Sequence, residues 1–135
     1  MTRVAQCCCG SLKAEARAEP QVVGMCNCLE CQRRTGAPFG VGAFFRTGDV
    51  ELSGPSTTYT RTGASGGRVE GHFCPTCGST VYWFPERFPG MIGVAVGAFA
   101  DPTFPAPAFS AWEQSRHAWL AFGHDMKRAP RGIGG

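Results

Sequence analysis

Residues 72–80 read HFCPTCGST and place two cysteines, Cys74 and Cys77, on a tight turn. Pro75 fixes one backbone φ, and Gly78 permits the positive φ that often follows the second cysteine of such a turn. The flanking segments, 68–73 and 79–84, alternate apolar and polar residues like the two strands of a hairpin. A redox-active C-x-x-C pair would instead be expected beside a βαβ pattern. We therefore predict a hairpin that ends in a metal-binding turn.

Six further cysteines form two more clusters, C-C-C-G at residues 7–10 and C-x-C-x-x-C at residues 26–31. Disulfides are disfavoured because no export signal precedes them and because disulfides are rare in reducing compartments. Cysteines one residue apart in an extended chain also point to opposite faces, which places them poorly for bridging. Zinc binds about four ligands in a tetrahedron and is often held by pairs of closely spaced cysteines. The clusters therefore predict zinc sites.

The cysteines can be divided between sites in two ways. Joining pair with pair gives one closed site of four thiolates and leaves a trio with an open position; the closed site would hold Cys7, Cys9, Cys74 and Cys77, and the trio is Cys26, Cys28 and Cys31. A closed zinc site is structural, whereas three protein ligands with an open position suit catalysis. Alternatively, the trio recruits one further cysteine into a single closed site and the others stay idle. Cys8 is predicted to point away from its neighbours, with a spare-ligand role as the alternative.

Length and charge limit the other possibilities. The chain has 135 residues, 43% hydrophobic and 17% charged, with 19 glycines and 10 prolines, which predicts one turn-rich globular domain. The net charge is +3 and the basic residues are scattered, so a nucleic-acid partner is disfavoured. No segment approaches the roughly 20 apolar residues of a membrane span. The N-terminus reaches a cysteine cluster before any apolar signal region, which predicts a cytoplasmic protein without a membrane partner.

The remaining pattern predicts a single, mainly β domain. A helix of one or two turns is expected over residues 29–34, ended by Gly36. Residues 101–107 carry three prolines and are expected to form a loop, and the tail from about residue 127 is expected to be flexible, leaving an ordered core over about 5–120. Further strands are expected at residues 11–16, 22–25, 40–46, 56–60, 91–99 and 109–113.

Three segments together resemble the glutathione-dependent formaldehyde-activating enzyme family, which also contains centromere protein V. They are the C-x-C-G opening, CNCLECQRRTGAPF at residues 26–39 and FCPTCG at residues 73–78, and the similarity spans roughly residues 5–120. Many members carry histidine where this chain has Asn27, and residues 112–120 match the closing strand of the family only loosely.

The resemblance implies an Mss4-like fold of small antiparallel sheets around zinc, with two Zn²⁺ per chain. It implies the first division of the cysteines: Cys7, Cys9, Cys74 and Cys77 on structural zinc, and Cys26, Cys28 and Cys31 as ligands of a second, catalytic zinc. It also implies condensation of formaldehyde with glutathione to S-hydroxymethylglutathione, formally the work of a carbon–sulfur lyase.

Several side chains near the motifs are candidates for the site. Arg33 and Arg34 could hold the carboxylates of a tripeptide thiol; the alternative is that both are solvated surface charges. Thr35 could contribute to the pocket wall; the alternative is that it belongs to a simple turn after the helix. His72 is either a hydrogen-bond donor to a zinc thiolate or an outward-facing strand residue. Glu113 lies beside an apolar strand and is a further candidate. The remaining candidates are expected at the surface (His117, His124) or in the core and pocket walls (Tyr82, Trp83, Phe84, Trp112, Trp119).

Two classes of function follow from the sequence. The first is a zinc-dependent carbon–sulfur lyase that acts on a small-molecule thiol such as glutathione. The second is a binding module for a protein or nucleic acid, in which both metals are structural. An open zinc position that takes up a thiol would distinguish the first from the second.

Overall fold

A computed structural model describes residues 2–132 of the chain. It contains one α-helix, three short 3₁₀ turns and eleven strands within those residues. The helix, α1, spans Leu29–Thr35, and the 3₁₀ turns span Thr47–Asp49, Val96–Phe99 and Glu113–Ser115. The strands are β1 (Arg3–Gln6), β2 (Lys13–Ala16), β3 (Val22–Cys26), β4 (Gly40–Arg46), β5 (Val50–Ser53), β6 (Thr57–Thr62), β7 (Arg68–Phe73), β8 (Thr80–Pro85), β9 (Met91–Ala95), β10 (Phe109–Ala111) and β11 (Lys127–Arg128).

The strands form two sheets that share a core. Over residues 2–132, the smaller sheet has the order β1-β2-β5, and the larger has the order β11-β10-β3-β4-β9-β8-β7-β6. The pairs are antiparallel except for β10, which runs parallel to β3 and β11. One buried apolar cluster contains residues of both sheets, among them Ala14 of β2, Phe45 of β4, Val81 of β8 and Val94 of β9. The small sheet therefore packs against the large sheet through a shared core.

The fold class predicted from the sequence is confirmed: the protein is mainly β, with one short helix. The predicted hairpin is present as β7 and β8, paired antiparallel around the Cys74–Cys77 turn. The helix ends as predicted at Gly36, which adopts a left-handed φ of 70°. The strands β1 and β5 were not predicted, because four-residue strands in a turn-rich chain give little periodic signal.

Two predicted strands end earlier than expected. The segment 91–99 is a strand only to Ala95, and it continues as a 3₁₀ turn that closes at Ala100 with φ 49°. The segment 109–113 is a strand only to Ala111, because Trp112 has a φ of 57° and its backbone leaves the extended conformation. The last strand, β11, lies in the segment from residue 127 that the sequence predicted to be flexible; it pairs with β10. Residues 133–135 of that segment lie outside the described residues.

No helix among residues 2–132 is long and apolar enough to cross a membrane.

Glycines let large side chains lie directly on the central strands. Gly24 on β3 pairs with Phe109 of β10, and a Cβ at Gly24 would overlap the ring of Phe109. A Cβ at Gly42 on β4 would lie 2.7 Å from the Trp83 ring. These glycines thus make room for two aromatic rings on one region of the sheet.

Replacing Gly24 by alanine should therefore destabilise the protein by about 1–3 kcal/mol, the usual effect of overpacking. The matched control is Gly48→Ala, because a Cβ at this exposed position would meet no atom within 4 Å; we expect its effect to stay within about 0.5 kcal/mol. Urea unfolding of the two variants measures the difference. Equal stabilities would contradict the close approach of Phe109 to β3.

Candidate metal centres

The first cysteine group connects the small sheet to the large sheet. Cys7 and Cys9 follow β1, Cys74 and Cys77 lie on the turn between β7 and β8, and all four Sγ atoms lie within 4.8 Å of one another. The Sγ atom of Cys9 lies 3.6 Å from that of Cys7 and 3.6 Å from that of Cys74. A tetrahedron with metal–sulfur bonds of about 2.3 Å has sulfur–sulfur edges of about 3.8 Å. The spacing therefore fits a single metal ion.

Local hydrogen bonds favour the thiolate form of this group. The amide of Leu12 donates to Cys7 Sγ at 3.3 Å, and the amide of Thr76 donates to Cys74 Sγ at 3.3 Å. The hydroxyl of Ser11 lies 3.2 Å from Cys74 Sγ and lowers the pKa of Cys74 to about 7. The hydroxyl and amide of Ser79 lower the pKa of Cys77 to about 5. Such contacts stabilise anionic sulfur, as metal ligation requires.

The second group lies where β3 meets α1. Cys26 is the last residue of β3, Cys28 is the N-cap of α1 and Cys31 lies one turn into the helix, with their Sγ atoms within 4.8 Å of one another. The amide of Cys31 donates to Cys28 Sγ at 3.3 Å, so the capping interaction itself orients one sulfur. The cap and the first helical turn thus gather the trio within six residues.

The three thiols compete for protons. Hydrogen bonds from Cys26 and then Cys31 lower the pKa of Cys28 to about 2, whereas the hydrogen bond with Cys28 raises the pKa of Cys26. One sulfur is thus anionic at the expense of its neighbours. A divalent cation removes this competition because it replaces the shared protons. The donor chemistry of the trio therefore fits a metal ion as well.

The two groups differ in completeness. Among residues 2–132, the trio gains no fourth histidine, cysteine or carboxylate ligand within the same radius. Cys8 is exposed and belongs to neither group. The structure thus brings the cysteines together as four and three, the first of the two divisions that the spacing allowed, and not as one closed site around the trio.

Two cavities meet at the trio. An inner cavity of about 160 Å³ is lined by Cys26, Cys31, Arg34, Arg61 and Trp83, among others. It shares the last three of these residues with an outer cavity of about 450 Å³, which Arg33 also lines. A third space, here called the apolar cavity, has about 200 Å³; all three cysteines line it, together with Arg61, Phe44, Val69, Phe88, Phe109 and Trp112. The trio is therefore reached from two sides.

Two arginines next to the trio have no acidic partner among residues 2–132. Arg61 Nη2 lies 4.0 Å from Cys31 Sγ, and the Arg34 guanidinium stacks over Trp83 at 4.7 Å from the ring centroid. Both side chains are half-buried, and no carboxylate of residues 2–132 lies within 4.0 Å of either. Burial lowers the pKa of Arg34. Half-buried arginines without a carboxylate are available to bind an anion.

Arg61 was missed by the sequence analysis. It lies on β6, 30 residues from Cys31 along the chain, and it reaches the trio only because β6 pairs with β7 at Val69. In the sequence, the spacing of Arg61 and Tyr59 indicates only that both side chains lie on the same face of a strand. This spacing does not predict which other residues that face of the strand contacts.

The other two predicted contacts lie further away. Arg33 is exposed and pairs with Glu30 at 3.3 Å, although it lines the outer cavity. The Thr35 hydroxyl donates to the Cys31 carbonyl at 2.9 Å, and Thr35 lines a separate cavity beside Cys7 and Cys8. Thr35 thus lines none of the three cavities around the trio.

The histidines occupy other surroundings. His72 stacks on Tyr82 with ring centroids 4.7 Å apart, and its nitrogens pair with Ser56 at 2.9 Å and Glu70 at 2.7 Å. Both ring nitrogens are thus engaged away from the cysteines. His117 and His124 are exposed, as the sequence predicted.

The aromatic candidates divide between core and surface. Tyr82 is buried in the core and Phe84 packs against it. Trp83 and Trp112 line the cavities beside the trio. Trp119 was expected in the core or a pocket wall, but it is 70% exposed, because the segment after the last 3₁₀ turn runs over the surface.

Asn27 connects the trio to the C-terminal segment. It is fully buried, and its amide donates to the Ser110 hydroxyl at 2.9 Å and to the Ala111 carbonyl at 2.8 Å. The Asn27 carbonyl accepts a hydrogen bond from the Ser115 hydroxyl at 2.7 Å. Glu113 accepts from Ser110 and forms ion pairs with arginines 116 and 128. Glu113 therefore has a place in this network and not among the ligands.

The fold and the two sulfur groups define a class: a small, mainly β protein with one complete and one open cysteine cluster, each able to hold a metal ion. A family model described as glutathione-dependent formaldehyde-activating enzyme matches residues 2–115. The chain belongs to this family. A Rhodobacter sphaeroides protein, solved by crystallography as a structural genomics target, is similar in fold: the TM-score is 0.53 at 23% identity, covering 70% of this chain and 85% of that one.

The neighbours Cys8 and Cys9 allow a matched test of the first group. We expect Cys9→Ser to lose one metal ion per chain and several kcal/mol of stability, because a structural metal contributes about 10–16 kcal/mol of apparent binding free energy in small domains. Cys8→Ser should keep both the metal and the stability. Metal analysis after desalting and thermal unfolding measure the two effects. Identical behaviour of the two variants would contradict the grouping.

Proposed function

We propose that this protein is a zinc-dependent enzyme of the formaldehyde-activating type, a carbon–sulfur lyase that joins a thiol such as glutathione to formaldehyde. The observation that carries the proposal is the trio of thiols, which lacks a fourth ligand within the described residues and lies where cavities meet. Membership in the family supports the same reaction. The product of this reaction with glutathione is S-hydroxymethylglutathione, and the reverse reaction releases the free thiol and the aldehyde.

Zinc is the metal that the donor sets favour. Groups of three or four cysteine sulfurs suit soft, tetrahedral metals, and zinc is the common one. We assign one zinc to Cys7, Cys9, Cys74 and Cys77 and a second to Cys26, Cys28 and Cys31. Bound to three thiolates, a zinc ion would offer an exchangeable fourth position at which a substrate thiol is deprotonated. Eight free cysteines are compatible with a reducing compartment, and we propose the cytoplasm.

The residues around the trio are suited to orient an anionic thiol. Arg34 and Arg61 line both the inner and the outer cavity, so a substrate that brings its thiol to Cys26 and Cys31 can bring its carboxylates to these guanidiniums. Arg33 lies on the outer cavity and could contact a more distant carboxylate. Thr35 would act indirectly, by holding the end of α1 through the Cys31 carbonyl.

Aromatic and aliphatic side chains complete the inner cavity. The Arg34 guanidinium stacks over Trp83, and Phe109 and Val69 line the cavity together with Cys26 and Cys31. In the reaction, the thiol sulfur bonds to the aldehyde carbon, the carbonyl π pair moves to oxygen, and the proton given up by the thiol ends on that oxygen. Orientation of both reactants beside the trio supplies the entropic part of the rate enhancement.

Native mass spectrometry tests the open position. The wild-type protein should carry two zinc ions and take up glutathione at millimolar concentration, whereas Cys28→Ser should keep one zinc ion and lose the glutathione adduct. The wild type should also speed formation of S-hydroxymethylglutathione beyond the spontaneous rate. Two zinc ions with neither a thiol adduct nor catalysis would contradict the enzyme and favour a binding module with two structural metals.

The arginines can be tested by comparing thiols. We expect Arg34→Gln and Arg61→Gln to raise KM for glutathione about tenfold or more, since a hydrogen bond to a charged group contributes about 1.5–3 kcal/mol. The KM for the neutral thiol 2-mercaptoethanol should change less than about twofold. Arg17→Gln is the control, because Arg17 pairs with Glu51 on the small sheet. An equal loss with both thiols would show that the arginines serve the trio and not the carboxylate.

A further inference from the structure

The apolar cavity is a second approach to the trio, distinct from the one that Arg34 lines. Cys28 lines the apolar cavity but not the inner cavity, whereas Arg34 and Trp83 line the inner cavity but not the apolar one. Cys26 and Cys31 line both. The two cavities adjoin, since both are also lined by Phe44, Arg61, Val69 and Phe109. A thiol that enters beside Arg34 therefore leaves the apolar cavity free to hold another group next to the sulfur atoms.

The size and lining of this cavity exceed what formaldehyde requires. Its volume is about 200 Å³, several times the ~30 Å³ that one water molecule occupies in the liquid. Formaldehyde has only two heavy atoms. Five of the lining side chains are large and apolar and come from four segments of the chain: Phe44, Val69, Phe88, Phe109 and Trp112. Apolar walls of this kind bind hydrocarbon groups by removing them from water.

Three arginines line the apolar cavity: Arg61, Arg68 and Arg87. The Arg87 guanidinium donates to the Ser65 carbonyl at 3.2 Å, and Arg61 Nη2 lies 4.0 Å from Cys31 Sγ. The charge of these two residues is thus directed to a backbone carbonyl and to sulfur. Arg68 is exposed, so its charge can remain in water when an apolar group occupies the cavity.

The wall at Trp112 is held in a costly conformation. A bulky residue at φ 57° is strained by about 1–3 kcal/mol and persists only when its surroundings impose it. The Trp112 amide donates to the Arg131 carbonyl at 3.0 Å, and Ser115 ties the following turn to the Asn27 carbonyl. Hydrogen bonds thereby connect the turn after Trp112 to Asn27, the residue between two members of the trio.

We propose that the apolar cavity binds the substituent of the aldehyde, and that the protein accepts aldehydes with an apolar chain of several carbons in addition to formaldehyde. This inference rests on the proposed function and names its electrophile class. The chemistry is unchanged: R–CHO and a thiol give the thiohemiacetal R–CH(OH)–S, with the thiol proton on the new hydroxyl. Only the group R is new, and it occupies the apolar cavity.

Stable S-alkyl glutathiones test the cavity without requiring catalysis. In S-butylglutathione the alkyl chain stands in for the carbon skeleton of the adduct, and S-methylglutathione is the short counterpart. Each buried methylene strengthens binding about fourfold, so three further carbons should make S-butylglutathione at least about tenfold tighter by calorimetry on the zinc-loaded protein. Butanal with glutathione should likewise react faster than the spontaneous rate.

A cavity-filling variant supplies the matched control. Ala64→Leu adds a side chain to a residue that lines the apolar cavity, and Ala121→Leu adds the same group at an exposed position outside it. We expect Ala64→Leu to remove the advantage of the butyl chain and Ala121→Leu to preserve it. Metal content, checked on both variants, confirms that the trio is still assembled.

The outcomes separate this inference from the proposed function. If S-methylglutathione binds but S-butylglutathione gains nothing, or if Ala64→Leu leaves the gain intact, the cavity does not hold the substituent and only this inference is overturned. If neither ligand nor glutathione itself binds, both are overturned. A butyl advantage that Ala64→Leu removes supports the inference, whatever the rate with formaldehyde.

Discussion

The structure depends on one constraint: four sulfur atoms, two from each sheet, must lie close together. Cys7 and Cys9 belong to the edge of the small sheet, whereas Cys74 and Cys77 belong to a hairpin of the large sheet, and their Sγ atoms lie within 4.8 Å. Bringing four thiolates this close is unfavourable unless a cation or shared protons neutralise them. A metal ion bound by all four thiolates would instead cross-link the two sheets. Such a cross-link contributes more to the stability of a small domain than to that of a large one, because a small domain buries less apolar surface.

The sequence predicted the local part of this arrangement and not the distant part. The C-x-x-C turn, the hairpin around it and the short helix ended by Gly36 depend on residues that are neighbours in the chain, so their spacing carries the information. The division of the cysteines into a group of four and a group of three was among the possibilities predicted from the sequence, because closely spaced cysteines can be combined around a metal in few ways. Arg61 was not, since its approach to Cys31 depends on which strand pairs with which. Trp112 was equally hidden, because a left-handed backbone at a bulky residue is imposed by tertiary contacts.

Asn27 connects the trio to the C-terminal segment of the chain. Asn27 lies between Cys26 and Cys28 in the sequence, but its side chain donates both amide hydrogens to β10. Its side chain is therefore committed to holding the C-terminal segment against the trio. The carbonyl of the same residue anchors the turn after Trp112 through Ser115. Asn27 thus connects the cysteine trio, through hydrogen bonds, to the segment that forms one wall of the apolar cavity.

The open and the complete cluster follow from one difference in surroundings. Around the four-cysteine group, two turns face each other, and each contributes a pair of sulfurs. Around the trio, the opposing elements are β4, β6, β8 and β10, and what they contribute is glycine, arginine and aromatic rings: Gly42, Arg61, Trp83 and Phe109. Glycines on β3 and β4 let two of these rings approach the strands closely, and no fourth ligand from residues 2–132 joins the trio. A site built in this way leaves the sulfur atoms reachable through cavities, whereas a structural metal site encloses its metal with four protein ligands.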